Sequence, residues 1–296
     1  MRRRIGCCVG AVLLGALCAC VSWGQSPQIR LNTAGAGARA ADVEAAARLI
    51  CPAGKLTRAK DGSVSGCSVC PAGTDFRGDA GSSWDLFAKT PGHFAAANEE
   101  NLVLSGSGCD SHASNFGGSF VFALEAGKVR LMRYDKGLIT DQCLKFAFAD
   151  GRDGLVCRGG WTGQGYNDES VAVVSFDATG KETEKVLTRT SDSTGTCGDD
   201  GSVTVQEAAI KDFQFTAAVG AEGNNDTSAP AKITGLTITV TVGNVSCAQV
   251  AAEEKTKTAL NAVKSYTVQF GFDGKQFKVA PESRAVLAKL EANWAG

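Results

Sequence analysis

The sequence predicts a mainly β protein built from stacked antiparallel units, and three observations carry that expectation. Apolar residues alternate over several short runs, as half-buried strands require; the cleanest is Leu236, Ile238, Val240 and Val242, set between threonines. Two landmarks recur at one interval: Leu102-Val103-Leu104-Ser105-Gly106 returns as Leu155-Val156-Cys157-Arg158-Gly159, and Gly127-Lys128 returns as Gly180-Lys181, each 53 residues further on. Eight cysteines also follow an export signal, so the body is expected to be held by disulfides.

The elements follow in chain order. Arg2, Arg3 and Arg4 precede an apolar stretch over residues 5–21, and Ser22-Trp23-Gly24 places small residues where a signal peptidase cuts. Residues 1–24 therefore read as a signal peptide. The stretch is shorter than the roughly 20 residues of a membrane span, which favours removal over anchoring. Leu17-Cys18-Ala19-Cys20 is also similar to a lipoprotein box and leaves a lipid anchor at Cys20 open. Either way the expected location is extracytoplasmic, periplasmic or secreted.

Residues 25–38 are small and polar and read as a linker, and residues 39–92 as a helix followed by a cysteine-rich region. Val43, Ala46, Ala47 and Ile50 share one helical face, and Pro52 ends the helix because it pushes the residue before it out of helical geometry. Residues 51–77, rich in Gly, Cys and Ser, predict a stapled loop region. Residues 93–280 predict the repeated β domain. Strands are expected at 120–124, 129–133, 146–148, 155–157, 171–176, 236–242 and 266–272. A third, degenerate copy of the unit pairs the strand at 236–242 with the hairpin at Gly274-Lys275, with a helical insert around 250–263 between them. Residues 281–296 predict a C-terminal helix opened by Pro281, with Val286, Leu287, Leu290 and Trp294 on one face. A unit of about 50 residues with four short strands has the size of a propeller blade. Three units are fewer than the four blades of a closed ring, so a trefoil-like barrel and a β-sandwich are the alternatives.

Residues 146–182 resemble the bacterial FG-GAP or VCBS-like repeats of extracellular β-propellers. The matching features are the Asp150-Gly151-Arg152-Asp153 turn before a hydrophobic strand, the Gly-rich stretch, and a strand ending in Phe176 before Gly180-Lys181. A looser version spans 93–134. The resemblance implies a propeller-like fold and, in some members, calcium in the Asp-rich turn. Here only Asp150 and Asp153 remain, whereas calcium takes six to eight oxygen ligands, so no metal is expected.

Function classes narrow by exclusion. Lysine and arginine number 30 against 31 acidic residues, and without Arg2, Arg3 and Arg4 the balance is −4. That is no footprint for nucleic acid. The mature cysteines are Cys51, Cys67, Cys70, Cys109, Cys143, Cys157, Cys197 and Cys247, which allow 105 pairings. Proximity favours Cys143 with Cys157 and Cys197 with Cys247. Cys67 and Cys70 have redox-pair spacing but lack βαβ surroundings, so they read as staples. Gly35-Ala36-Gly37-Ala38-Arg39-Ala40 resembles a dinucleotide fingerprint yet has no preceding strand, so no cofactor is expected. The two histidines, His93 and His112, offer neither zinc spacing nor a nucleophile elbow.

The surfaces that remain are two Gly-rich stretches in equivalent positions of the first two units. One holds Asp110, His112, Asn115 and Phe116; the other holds Trp161, Gln164, Tyr166, Asn167 and Asp168. Aromatic rings beside amides suit a polar ligand such as a glycan, by stacking and directed hydrogen bonds. The expected role is therefore non-catalytic, binding an unknown glycan or protein, or structural. The alternative is an extracytoplasmic hydrolase centred on Asp110, Ser111 and His112.

Overall fold

The computed structural model describes residues 37–79, 81–111, 117–125, 127–198, 203–217, 233–256 and 262–294. The stretch expected to be an export signal, Cys20, His112, Asn115 and Phe116 lie outside them. Among the described residues no helix is long and apolar enough to cross a membrane.

Helix α1 (Ala40–Ile50) is alanine-rich, and Ala is the residue that gives up least on entering a helix. Its buried stripe is Val43, Ala46, Ala47 and Ile50. Asp42 in the first turn and Arg48 in the last complement the helix dipole. Cys51 then turns extended ahead of Pro52, its N–H still bonded to Ala47 O at 2.8 Å.

The chain next forms a six-stranded sheet in sequential order: β1 (Leu56–Arg58), β2 (Val64–Cys67), β3 (Trp84–Gly92), β4 (Glu100–Ser107), β5 (Gly117–Glu125) and β6 (Lys128–Lys136). A second sheet holds β7 (Cys143–Ala147), β8 (Asp153–Gly163), β9 (Tyr166–Phe176) and β10 (Glu182–Asp192). The third holds β11 (Thr204–Ala217), β12 (Ile233–Ser246), β13 (Lys264–Phe272) and β14 (Phe277–Val279). Helix α2 (Cys247–Thr256) falls between β12 and β13, and α3 (Arg284–Trp294) ends the chain after a turn opened by Pro281. The protein is thus mainly β, with three antiparallel sheets and no closed barrel among the described residues.

Within each sheet every strand pairs with its sequence neighbour in an antiparallel meander. Gly127, Gly180 and Gly274 occupy the hairpin before β6, β10 and β14 respectively, with φ of +85°, +79° and +88°. That left-handed backbone is open to glycine without a Cβ clash. Asp177 and Asp273 brace two of these turns, their Oδ1 atoms accepting the N–H groups of Thr179 and Lys181, and of Lys275 and Gln276.

The layers stack in chain order, and alternation along the strands sets each contact. Leu102, Leu104, Phe120 and Phe122 face α1 and share a core with Trp84. Val103 and Val121, on the opposite face, meet Leu155, Val174 and Phe176 of the second sheet. The second sheet's other face, with Val156, Val171 and Val173, packs on Ile210, Leu236, Ile238, Val240 and Val268 of the third. At that junction Phe146 is edge-on to Phe272 and Phe277 at 5.3 and 5.4 Å between centroids, an arrangement favoured by the ring quadrupoles. Leu290 of α3 is buried in the same core.

Four disulfides join Cys51 to Cys67, Cys70 to Cys109, Cys143 to Cys157 and Cys197 to Cys247. The first two clamp α1 and the loop after β2 to the first sheet. The third links directly opposed residues of β7 and β8. The fourth ties the turn after β10 to the start of α2, and so the second sheet to the third. Cys67 and Cys70 are each bonded to a different partner, so the redox spacing does not describe a mutual pair.

Candidate functional site

A cleft runs between the first two sheets, and the segment joining β6 to β7 forms its base. That segment is pinned by a buried hydroxyl network. Ser105 Oγ lies 2.6 Å from Ser119 Oγ and 2.7 Å from Thr140 Oγ1, and Thr90 Oγ1 donates to Thr140 Oγ1 at 2.9 Å. Ser119 Oγ also donates to Leu138 O, and Thr140 N–H to Ser105 Oγ. A satisfied buried polar network of this kind holds one geometry, because any shift leaves a polar group without a partner.

The opposite wall is β8 and β9. Register pairs β7 with β8 only from Asp153 to Cys157, and one further bond joins Arg158 N–H to Gln142 O at 3.1 Å. Beyond it β8 is the edge strand of a ribbon in which β8 pairs with β9 to Gly163 and Tyr166, and β10 pairs along β9 as far as Asn167. The ribbon closes on Gln164 and Gly165, both at positive φ (+52° and +84°), as a two-residue hairpin of primed type demands. Gln164 is the one described non-glycine residue in that region. The stretch read from sequence as a Gly-rich loop is therefore mostly strand, with Trp161, Tyr166, Asn167 and Asp168 on it and Gln164 in its turn.

Trp161 is 37% exposed and Tyr166 44% exposed. The indole lies over Gly163, where a Cβ would come within 2.5 Å of Cζ2. A glycine there lets the ring lie against the strand and keep its outer face in water. Thr162 Oγ1 donates to Asn167 Oδ1 at 2.7 Å across the ribbon. At this outer end the cleft encloses about 510 Å³, bounded by Phe87 and Ser107 of the first sheet, Asp141 and Gln142 of the joining segment, and Thr162 and Asn167 of the ribbon. Phe87 is 44% exposed.

At its inner end the cleft continues past Ile139, Gly159 and Gly160 into a smaller space of about 250 Å³ lined by Ser170, Glu182 and Glu184. Burial, then the nearby Asp135 and Glu184 charges, push the Glu182 carboxyl up to about 7. Asp135 is almost wholly buried; Arg133 donates to its Oδ1, while its Oδ2 has no hydrogen-bond partner. Burial pushes Asp135 up as well, against the pull of Arg133. The cations of this end are already matched. Arg158 is paired with Glu169, whose Oε2 also accepts the edge N–H of Ile210 at 2.8 Å, and Lys136 sits 2.5 Å from Asp75.

The first sequence-predicted stretch is placed only in part. Asp110 is buried at the end of the first sheet, its carboxylate taking the Tyr134 hydroxyl and the Asp75 N–H. Burial and then that hydrogen bond hold the Tyr134 phenol far above its ordinary range. Ser111 Oγ is 3.3 Å from Lys136 Nζ, which also donates to Asp75, a carboxyl held down at about 2 mainly by that hydrogen bond. His93 stands elsewhere, its Nδ1 3.8 Å from Asp153 Oδ2. In the Asp150–Asp153 turn both carboxylates are spoken for, Asp150 by Arg152 and Asp153 by the His93 N–H. No group of three or more His, Cys, Asp or Glu side chains able to hold a metal occurs among the described residues.

Sequence reasoning missed Glu182, Glu184, Asp135, Arg158 and Glu169. The legible hint was Glu182-Thr183-Glu184 after a hairpin glycine, which puts two carboxylates on one face of a strand. No family model, curated protein or solved structure matches the chain.

Proposed function

We propose that the protein is an exported, non-catalytic binding protein that takes a glycan on the exposed aromatic face of its β8–β9 hairpin. The observation that carries this reading is the β8–β9 hairpin, which leaves Trp161 and Tyr166 partly exposed together on the face opposite the one that Thr162 and Asn167 turn to the cleft. Large aromatic side chains are usually well covered, and a sugar ring supplies both an apolar face for stacking and hydroxyls for directed bonds. Four disulfides fit a protein that works in an oxidising compartment.

The same reading takes the runs β3–β6, β7–β10 and β11–β14 as three blade-like units. Their common meander and their hairpin glycines before the last strand support it, as does the resemblance of residues 146–182 to FG-GAP or VCBS-like repeats.

Titration of soluble oligosaccharides into the wild-type protein and into Trp161→Ala/Tyr166→Ala tests the function. Loss of the aromatic faces is expected to weaken binding by about tenfold or more, on the order of 1.4 kcal/mol. Unchanged affinity in the folded double variant would remove the ribbon from the binding surface.

A further inference from the structure

The face that bears Trp161 and Tyr166 also bears a carboxylate with which no described residue pairs. Trp161 is directly opposite Asp168 on β9, and Asp168 is directly opposite Ser191 on β10. Opposed residues of neighbouring strands project to the same side, so the three side chains form one row across the ribbon. Tyr166, two residues before Asp168 on β9, stands beside that row on the same side. Gly159 and Gly163 flank Trp161 on its own strand and bring no side chain to cover the ring. Thr162 and Asn167 are bonded to each other on the other face, so the amide of Asn167 is turned away from the rings.

Asp168 is the unusual member of the row. Its side chain takes no hydrogen bond and no ion pair among the described residues, although Oδ1 is already shielded from solvent. A carboxylate oxygen that has lost water without gaining a donor is costly. The rest of the residue is partly exposed. Ser191 is partly exposed too; its carbonyl accepts Gln206 Nε2, while its hydroxyl has no partner among the described residues. The carboxylates of the opposite face are used differently. There Glu169 and Asp192 accept the β11 N–H groups of Ile210 and Ala208, each at 2.8 Å. Asp168 caps no such edge.

The charge of the ligand follows from what surrounds the rings. An acidic sugar would bring its own anion against Asp168. A cationic sugar would meet Arg189, which is exposed one row further along the same face, opposite Ser170, and would leave the Ser191 donor idle. A neutral sugar hydroxyl both donates and accepts, so it gives a proton to Asp168 and takes one from Ser191. We infer that the aromatic face selects an uncharged glycan, with a sugar ring stacked on Trp161 and its hydroxyls held by Asp168 and Ser191. This rests on the proposed glycan function and names the ligand class and the residues that read it. Asp168 contributes twice: its charge strengthens the hydrogen bonds it accepts, and the same charge turns away uronate and sulfated chains.

A glycan array carrying neutral, uronate or sulfated, and amino chains tests this, probed with the full chain and followed by calorimetry on the strongest hit. Wild type is expected to bind neutral chains and to leave the charged ones. Asp168→Asn keeps the size of the side chain and is expected to weaken the neutral hit about tenfold while admitting uronate chains. Ser191→Ala removes a neutral hydrogen bond and is expected to weaken the hit about threefold. If Asp168→Asn shows no cooperative thermal transition, the wild-type preference and Ser191→Ala decide. Hits confined to acidic or amino chains, or a neutral hit that neither variant weakens, overturn this inference and leave the glycan function standing. A hit that survives Trp161→Ala/Tyr166→Ala, or no hit at all, overturns both.

Discussion

Glu182 titrates in a setting that water would not provide. Its folded-state value of about 7 lies above the 4.5 of an ordinary glutamate, because burial penalises the charge and Asp135 adds repulsion. The folded state therefore holds this proton more tightly than the unfolded chain. The associated stability is complete below about pH 4.5 and fades as pH rises through about 7, where ionisation in the folded state becomes a penalty. Glu182→Gln keeps the neutral shape, so it is expected to raise the melting temperature at pH 8 and to leave it near the parent value at pH 4.5. Thermal denaturation at both values checks the sign; a gain confined to pH 4.5 would show that Glu182 is not the strained group. Little of this could be read in advance. Trp161, Tyr166 and Asn167 were legible because aromatics and amides beside glycines are locally distinctive. Asp135 and Glu182 lie on strands of different sheets, and only stacking of those sheets makes them neighbours.

At the scale of elements, the second and third sheets are joined by a cluster of phenylalanines. Phe146 is fully buried at its centre, with Phe148, Phe215, Phe272 and Phe277 between 4.8 and 6.0 Å. Phe146→Ala removes a ring that four others surround and leaves a cavity that stacked sheets cannot close. The expected loss is about 3–5 kcal/mol, read from urea unfolding; a loss under about 1 kcal/mol would mean that the sheets separate before global unfolding. The elements read from sequence are those whose alternation is unbroken, above all α1 and β12. Several of those passed over carry a bulge. In β11 the buried residues are Ala208 and Ile210 before the slip at Ile210/Asp212, then Phe213 and Phe215 after it, so the period of two changes phase midway. β3 slips likewise between Leu86 and Ala88 and places Pro91 in the strand. Its pairing with β4 brings residues before 93 into the first sheet.

Across the whole molecule, the disulfides divide into local and bridging staples. Cys143–Cys157 closes a 14-residue separation within one hairpin, whereas Cys197–Cys247 spans 50 residues and ties two sheets. Loop entropy makes the longer closure worth more, about 4 kcal/mol against about 3. The Cys197→Ser/Cys247→Ser variant is therefore expected to lose more stability in urea than Cys143→Ser/Cys157→Ser; the reverse order would place strain in the longer bridge. By itself the sequence determined what local pattern encodes: a mainly β chain, one N-terminal and one C-terminal helix, hairpins at Gly127, Gly180 and Gly274, and cysteine pairs close enough to be named. Local pattern is legible because a strand's alternation or a turn's positive φ is set by residues within a few positions. Only the tertiary structure decided that Cys67 and Cys70 part company, that Ser111 lies beside Lys136, and that two strand carboxylates meet behind a cleft. Each of those depends on which faces stack, and stacking follows from summed burial over whole sheets rather than from any short run of residues.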